Sequence, residues 1–289
     1  MIWLTLSVGA AFFMATNSAF IKRFFSDLSS WEMGLIPYFY GCPLFLATLA
    51  FIDIPSVGPG FLPSLAWVLP LLMIAITLHY RAIHLSPLSL TLPFLSFTPV
   101  FVLLTGGLIL DETLKPQGVA GMLLVVVGGY VINLDSARYG FLGPIKAIWK
   151  EPGSAIMLLV AVLFGLTSVG GKVIILNSSP MFAAVVIFTL YGVLLTLILL
   201  ATGKASLKNL IRRPLLGIAA GLIVFAEAVC HNTAMTLTSA AYMITIKRTA
   251  GIFSVLYGWL FFKERGIRFR FIGALIMTAG AAVIALWGG

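Results

Sequence analysis

The chain is poor in charge. Of its 289 residues only 9% are Asp, Glu, Lys or Arg, while 61% are hydrophobic and the mean hydropathy is +1.11; an average soluble domain carries about 25% charge. So few polar groups cannot cover so much apolar surface, which excludes a soluble globule. The period-two alternation of a membrane β-barrel is also lacking. The apolar runs are instead continuous for about 20 residues, the length that a helix rising 1.5 Å per residue needs to cross about 30 Å of hydrocarbon. Helices satisfy every backbone polar group within one segment, so the fold class is all-α, a polytopic membrane protein. Cysteine is nearly absent: Cys42 and Cys230 fall inside apolar runs and read as small buried hydrophobes without a redox role. No His-Glu-x-x-His spacing and no Gly-x-Ser-x-Gly elbow occurs, so neither catalysis nor a metal or cofactor is expected. The opening Met1-Ile2-Trp3 has no basic stretch and no cleavage site follows the first run, so that run is expected to stay as a span.

Charge, Pro and Gly punctuate the apolar runs into ten spans. The first half holds residues 2–21, 31–52, 63–84, 88–109 and 116–134; the second holds 154–176, 181–202, 215–236, 239–262 and 267–287. All six tryptophans lie near a proposed span end or, for Trp149, in the connector, as amphipathic rings at the headgroup level should. The bases are distributed unequally. Fourteen, among them Lys22, Arg23, Lys146, Lys204, Arg212 and Arg268, lie at the face of the odd-numbered loops, and Lys115 alone lies at the other. By the positive-inside rule the odd loops are cytoplasmic and both termini outside, in the plasma (inner) membrane. The net charge of +9 then reflects topology and attraction to anionic lipid; the bases form no folded module for nucleic acid.

The chain repeats itself. An offset of 152 residues lays His79 on His231, Gly106 on Gly258, Glu112 on Glu264, Gly121 on Gly273 and Gly128 on Gly280, and an offset of 150 lays Ser18 on Ser168 and Lys22 on Lys172. The organisation is therefore a first five-helix repeat over 1–137, a cytoplasmic connector over 138–153, and a second five-helix repeat over 154–289. An odd number of spans per unit inverts the second copy relative to the first. Inverted repeats can exchange roles about a central site, the structural basis of alternating access in many secondary transporters.

Two stretches that end the repeats carry a resemblance: Pro99-Val100-Phe101 through Gly106-Gly107, Asp111-Glu112, Gln117-Gly118, Gly121 and Gly128-Gly129, then Gly251 through Gly258, Lys263-Glu264, Gly273 and Gly280. With the ten spans, they make the chain resemble the EamA-like branch of the drug/metabolite transporter superfamily. The resemblance implies a monomer or homodimer, a cavity lined by spans 1 to 4 and 6 to 9, and spans 5 and 10 at the periphery. It also implies cytoplasmic termini, opposite to the charge reading.

Ionisable groups deep in hydrocarbon are candidate functional residues by default. Lys247 and Arg248 lie well inside the ninth span and Glu227 at a similar depth in the eighth, joined by a tight turn near Leu237 to Ser239. Glu227 can pair with either base. The cluster reads either as a structural ion pair or as a site whose surplus positive charge suits a carboxylate or phosphate. If Glu227 also holds an ammonium, the cargo is a zwitterion of amino-acid type. The Lys-Arg pair resembles the phosphate-contacting pair of sugar-phosphate and nucleotide-sugar transporters in the same superfamily, but Leu95 and Ser96 stand where a further lysine would be. A flippase for a phosphate-bearing lipid is a related alternative. His79 and His231, placed near the ends of spans 3 and 8, can couple to protons or serve as hydrogen-bonded interfacial residues. Asn17, Tyr38, Tyr80, Asn232 and Tyr242 add neutral polar groups. Lys22 and Lys172 are expected to snorkel to the headgroups, Glu112 and Glu264 to serve the positive end of the helix that follows each, and Pro93 and Pro99 to bend the fourth span.

Overall fold

The computed structural model describes residues 2–132, 151–263 and 267–287, and they form helices with no strand among them. In the first half these are α1 (Ile2–Phe25), α2 (Ser30–Thr48), α3 (Phe61–Leu85), the short α4 (Leu88–Thr91), a 3₁₀ turn over Leu92–Phe97, α5 (Thr98–Ile109) and α6 (Pro116–Ile132). The second half has α7 (Pro152–Leu176), α8 (Pro180–Ala201), the short α9 (Leu207–Leu210), α10 (Pro214–Leu237), α11 (Ala240–Lys247), α12 (Ala250–Phe262) and α13 (Ile267–Trp287). With α4, the 3₁₀ turn and α5 as one broken span, and α11 with α12 as another, ten crossings result. The connector up to residue 150, with Lys146 and Trp149, lies outside the described residues, as does Glu264 before the last helix.

Local chemistry explains the boundaries. Ser29 caps α2 in a reciprocal capping box with Glu32, and Ser179, 150 residues on, accepts from the backbone N–H of Phe182 at the start of α8; each hydroxyl satisfies a donor that the first helical turn leaves unpaired. The fourth span breaks around Pro93 and Pro99, which cannot donate to the preceding turn. The ninth breaks at Arg248-Thr249 without a proline. Its break falls 152 residues after Ser96-Phe97, within the 3₁₀ turn, so both repeats interrupt the same span at the same depth. Asp111 and Lys263, also 152 apart, both adopt left-handed backbone, with φ of 52° and 53°.

The packing repeats with the sequence. Helix α1 lies along α10 as its counterpart α7 lies along α3, and α6 pairs with α13 away from the centre. The glycines of that pair let two backbones meet: a Cβ at Gly121 would stand 2.8 Å from the carbonyl oxygen of Gly280, and one at Gly128 would stand 2.7 Å from that of Gly273. One crossing breaks the symmetry. Helices α2 and α10 touch through Gly41 and Gly221, but their counterparts Tyr191 and Leu69 keep α8 and α3 apart. Leu104, Leu108, Leu197, Leu222 and other exposed apolar side chains cover the outside, as a lipid-facing surface requires.

Candidate functional site

The wider crossing of α3 and α8 leaves a central cavity of about 110 Å³. Met14 and Tyr38 come to it from the first two spans, Val68, Leu72 and Ile76 from α3, Phe164, Thr167 and Ser168 from α7, Ile187 and Phe188 from α8, and Glu227, His231, Asn232, Lys247 and Arg248 from α10 and α11. Since Val68, Ile175, Ile187 and Ile244 sit toward the helix ends nearer the base-poor face, the cavity extends from the middle of the protein toward that face. A smaller cavity of about 40 Å³ continues it on the other side, lined by Asn17, Ser18, His79 and Tyr80, and shares Met14, Tyr38, Ile76, Phe164 and Glu227 with the larger one.

The lining comes in repeat-equivalent pairs. Met14 and Phe164, Asn17 and Thr167, Ser18 and Ser168, and Tyr38 and Phe188 stand 150 apart, and Leu72 and Val224, Ile76 and Ala228, His79 and His231, and Tyr80 and Asn232 stand 152 apart. The pseudo-symmetry axis thus passes through the site. The charges depart from it: Glu227, Lys247 and Arg248 have Ala75, Leu95 and Ser96 as counterparts. These three are buried, and none can supply an ion.

Of the two bases open to Glu227, Lys247 is the partner, with Nζ 2.8 Å from Oε1; its ammonium also lies 3.1 Å from His231 Nδ1. That pairing leaves Arg248 without an ion pair of its own among the described residues. It is 4% exposed, its guanidinium lies over the Phe164 ring at 5.6 Å and against the Met14 sulfur at 3.9 Å, and it has no carboxylate in salt-bridge range among the described residues. Its Nε has no hydrogen-bond partner there either. A lone buried cation costs several kcal/mol unless a counter-anion or water reaches it, so the arrangement suits an anionic group brought by a ligand.

The structure gathers Asn17, Tyr38, Tyr80, His79, His231, Glu227, Lys247 and Arg248 around one space. Tyr242 stands apart: its ring packs against Gly118 of α6 and lines neither cavity. The histidines are not interfacial. His79 is 5% exposed in the body of α3, with Nε2 3.0 Å from Ser18 Oγ, and His231 lies at the same register of α10 beside Lys247. Lys172 does not snorkel. Its Nζ lies 2.6 Å from Glu112 Oε1 and 2.7 Å from the carbonyl oxygen of Thr238, because this partly buried carboxylate offers more than the headgroups can. Glu112 in turn accepts the backbone N–H of Ala240 at 3.0 Å through both oxygens, so it serves the N-terminus of α11 rather than that of α6, the helix following it. Lys22 likewise turns inward, donating to the carbonyl oxygen of Ser86, the counterpart of Thr238. Met14, Ser18, Phe164, Phe188, Thr167 and Ser168 were missed as lining residues, although the offset of 150 from Tyr38 and Asn17 points to Phe188 and Thr167.

Comparison with known proteins agrees with this architecture. The EamA-like transporter family matches residues 1–134 and 151–286. The chain belongs to the EamA-like transporter family. It is accordingly a multi-pass membrane transporter rather than an enzyme by family. An uncharacterized transporter of Archaeoglobus fulgidus is 24% identical over 290 residues, covering 99% of this chain and 98% of that one. A solved crystal structure superposes with a TM-score of 0.71 at 16% identity, covering 98% of this chain and 95% of the other; that likeness concerns the fold alone. Within the EamA-like frame, the two matched stretches correspond to the two halves whose helices pair around the cavity.

Proposed function

We propose that this EamA-like protein is a secondary transporter of the plasma (inner) membrane that carries a small anionic or zwitterionic organic solute by alternating access. The observation that carries the reading is Arg248, buried at the central cavity with no carboxylate in salt-bridge range among the described residues. A cargo carboxylate supplies the missing charge, and the apolar walls from Val68, Leu72, Ile76 and Phe188 accept a carbon skeleton. A phosphate-bearing cargo fits less well, because Lys247 is already held by Glu227 and one free cation faces about two negative charges. Alternating access is supported by the pairing of repeat-equivalent residues around one site and by the unequal crossings α2–α10 and α3–α8. The base-rich loops favour a cytoplasmic connector and outer termini. Protons are the proposed coupling partner, through His79 and His231 facing the same space.

The test is uptake of labelled carboxylates into proteoliposomes. Wild-type protein should accumulate label in counterflow, and Arg248→Gln should lose it while remaining monodisperse and membrane-inserted. Full transport by Arg248→Gln would remove Arg248 as the anion-holding group. Counterflow unchanged by an imposed pH gradient, together with uphill uptake that ignores that gradient, would remove the proton.

A further inference from the structure

We infer that the smaller cavity is a second subsite, made of hydrogen-bond acceptors, which takes an ammonium or hydroxyl group of the cargo while Arg248 takes its carboxylate. This rests on the carrier reading above and narrows the cargo to amino or hydroxy carboxylates with an apolar body.

Donor and acceptor bookkeeping carries the inference. Asn17 and His79 are 3% and 5% exposed and line this cavity. Asn17 gives its amide N–H to the Tyr80 hydroxyl at 3.0 Å, and its Oδ1 has no partner among the described residues. Ser18 Oγ gives its only proton to the Met14 carbonyl oxygen at 3.0 Å, so toward His79 Nε2 it can only accept. Nε2 therefore carries the proton, and Nδ1 of the neutral ring is a lone pair, likewise without a partner. Glu227 lines the same cavity. The smaller cavity thus presents acceptors next to the guanidinium, which rests on Met14 and Phe164, residues that line both cavities.

The second repeat is the internal control. Its matching ring nitrogen is met by the protein itself, His231 Nδ1 lying 3.1 Å from the Lys247 ammonium, and the counterpart of Asn17 is Thr167, which has no amide oxygen and gives its proton to the Leu163 carbonyl oxygen at 2.9 Å. Only the first-repeat members, Asn17 and His79, keep unpaired acceptors on residues that line the cavity among these described pairs. A buried acceptor that stays unpaired penalises any cargo that cannot reach it, which is how a polar site rejects an analogue lacking the donor.

Three probes share one skeleton: 4-methylpentanoate has no donor, 2-hydroxy-4-methylpentanoate has a hydroxyl, and leucine has an ammonium. Affinity for purified protein, measured by ligand-dependent thermal shift and by counterflow inhibition, should be at least about tenfold tighter for a donor-bearing probe than for 4-methylpentanoate. Preference for leucine identifies the group as ammonium, and preference for the hydroxy acid identifies it as hydroxyl. Asn17→Leu and His79→Phe should each bring the ratio to within about twofold; should one fail to fold, the other decides. Equal affinity for all three in the wild type, with binding still lost in Arg248→Gln, would overturn the acceptor subsite and leave the carrier reading standing. Binding of none of the three by the wild type would overturn the carboxylate reading and the subsite with it.

Discussion

Removing the carboxylate of Glu112 should destabilise the protein far more than removing both members of its ion pair. Lys172 and Glu112 have side chains 10% and 14% exposed and meet at 2.6 Å, and the pair joins the second repeat's first span to the first repeat's last loop. In Glu112→Leu the ammonium keeps only the Thr238 carbonyl, and the N–H of Ala240 loses its acceptor. Stranding one charge of a buried pair costs about 3–5 kcal/mol. Glu112→Leu with Lys172→Met strands no charge and leaves one helix-terminal N–H uncapped, a loss of about 1–2 kcal/mol. The double variant should therefore be more stable than Glu112→Leu by about 3–5 kcal/mol, a difference set by the charge left alone. Equilibrium unfolding in mixed micelles, followed by tryptophan fluorescence, measures all four members of the cycle. Strict additivity of the single losses would refute the argument, since it would mean that Lys172 finds water or headgroups as readily as it finds Glu112.

Gly273→Ala should separate α6 from α13, because the added Cβ would stand 2.6 Å from the Gly128 carbonyl oxygen; a loss of about 1–3 kcal/mol by the same unfolding assay is expected, with little change in cargo affinity. Asp27 lies in the loop after α1 and pairs with Arg213 at 2.7 Å and Arg212 at 3.1 Å. The hydrogen bond from Arg213 holds its carboxyl below the usual value of 3.8. A depressed folded-state value stabilises above the unfolded one and is lost as pH falls through the folded one, so wild type and Asp27→Asn should converge in stability in acid below that range. The pair is exposed, so the difference near neutrality should be no more than about 1 kcal/mol; a gap that widens in acid would contradict the assignment.

Much of the architecture was legible because lipid leaves a chain few options. Long apolar runs with charges only at their ends read as spans, and an odd repeat unit implies inversion. The interruption of the ninth span was harder to see: Thr249 and Ala250 carry no helix-breaking residue, and only their alignment with Ser96 to Thr98, next to Pro99, marks the place. The charged cluster was legible for a physical reason, as Glu227, Lys247 and Arg248 stand out against hydrocarbon. Which base Glu227 would choose was not, because neighbouring residues on a helix point in directions about 100° apart and only packing decides which one faces α10. Lys172 looked like a snorkelling residue since its partner Glu112 lies 60 positions away, in the other repeat, beyond the reach of local pattern. Tyr242 looked equivalent to Tyr38 and Tyr80, yet its helix turns it toward Gly118.

The central claim is that two inverted halves exchange roles around one charged site, and distances between spin labels test it most directly. One pair, at Leu62 and Met181, reports the α3–α8 side; a second, at Trp31 and Leu215, reports the α2–α10 side, with Cys42 and Cys230 replaced. On adding a transported carboxylate, the first distance should shorten in a growing fraction of molecules while the second lengthens. Two distances that stay fixed, or that move in the same direction, during demonstrated transport would contradict it.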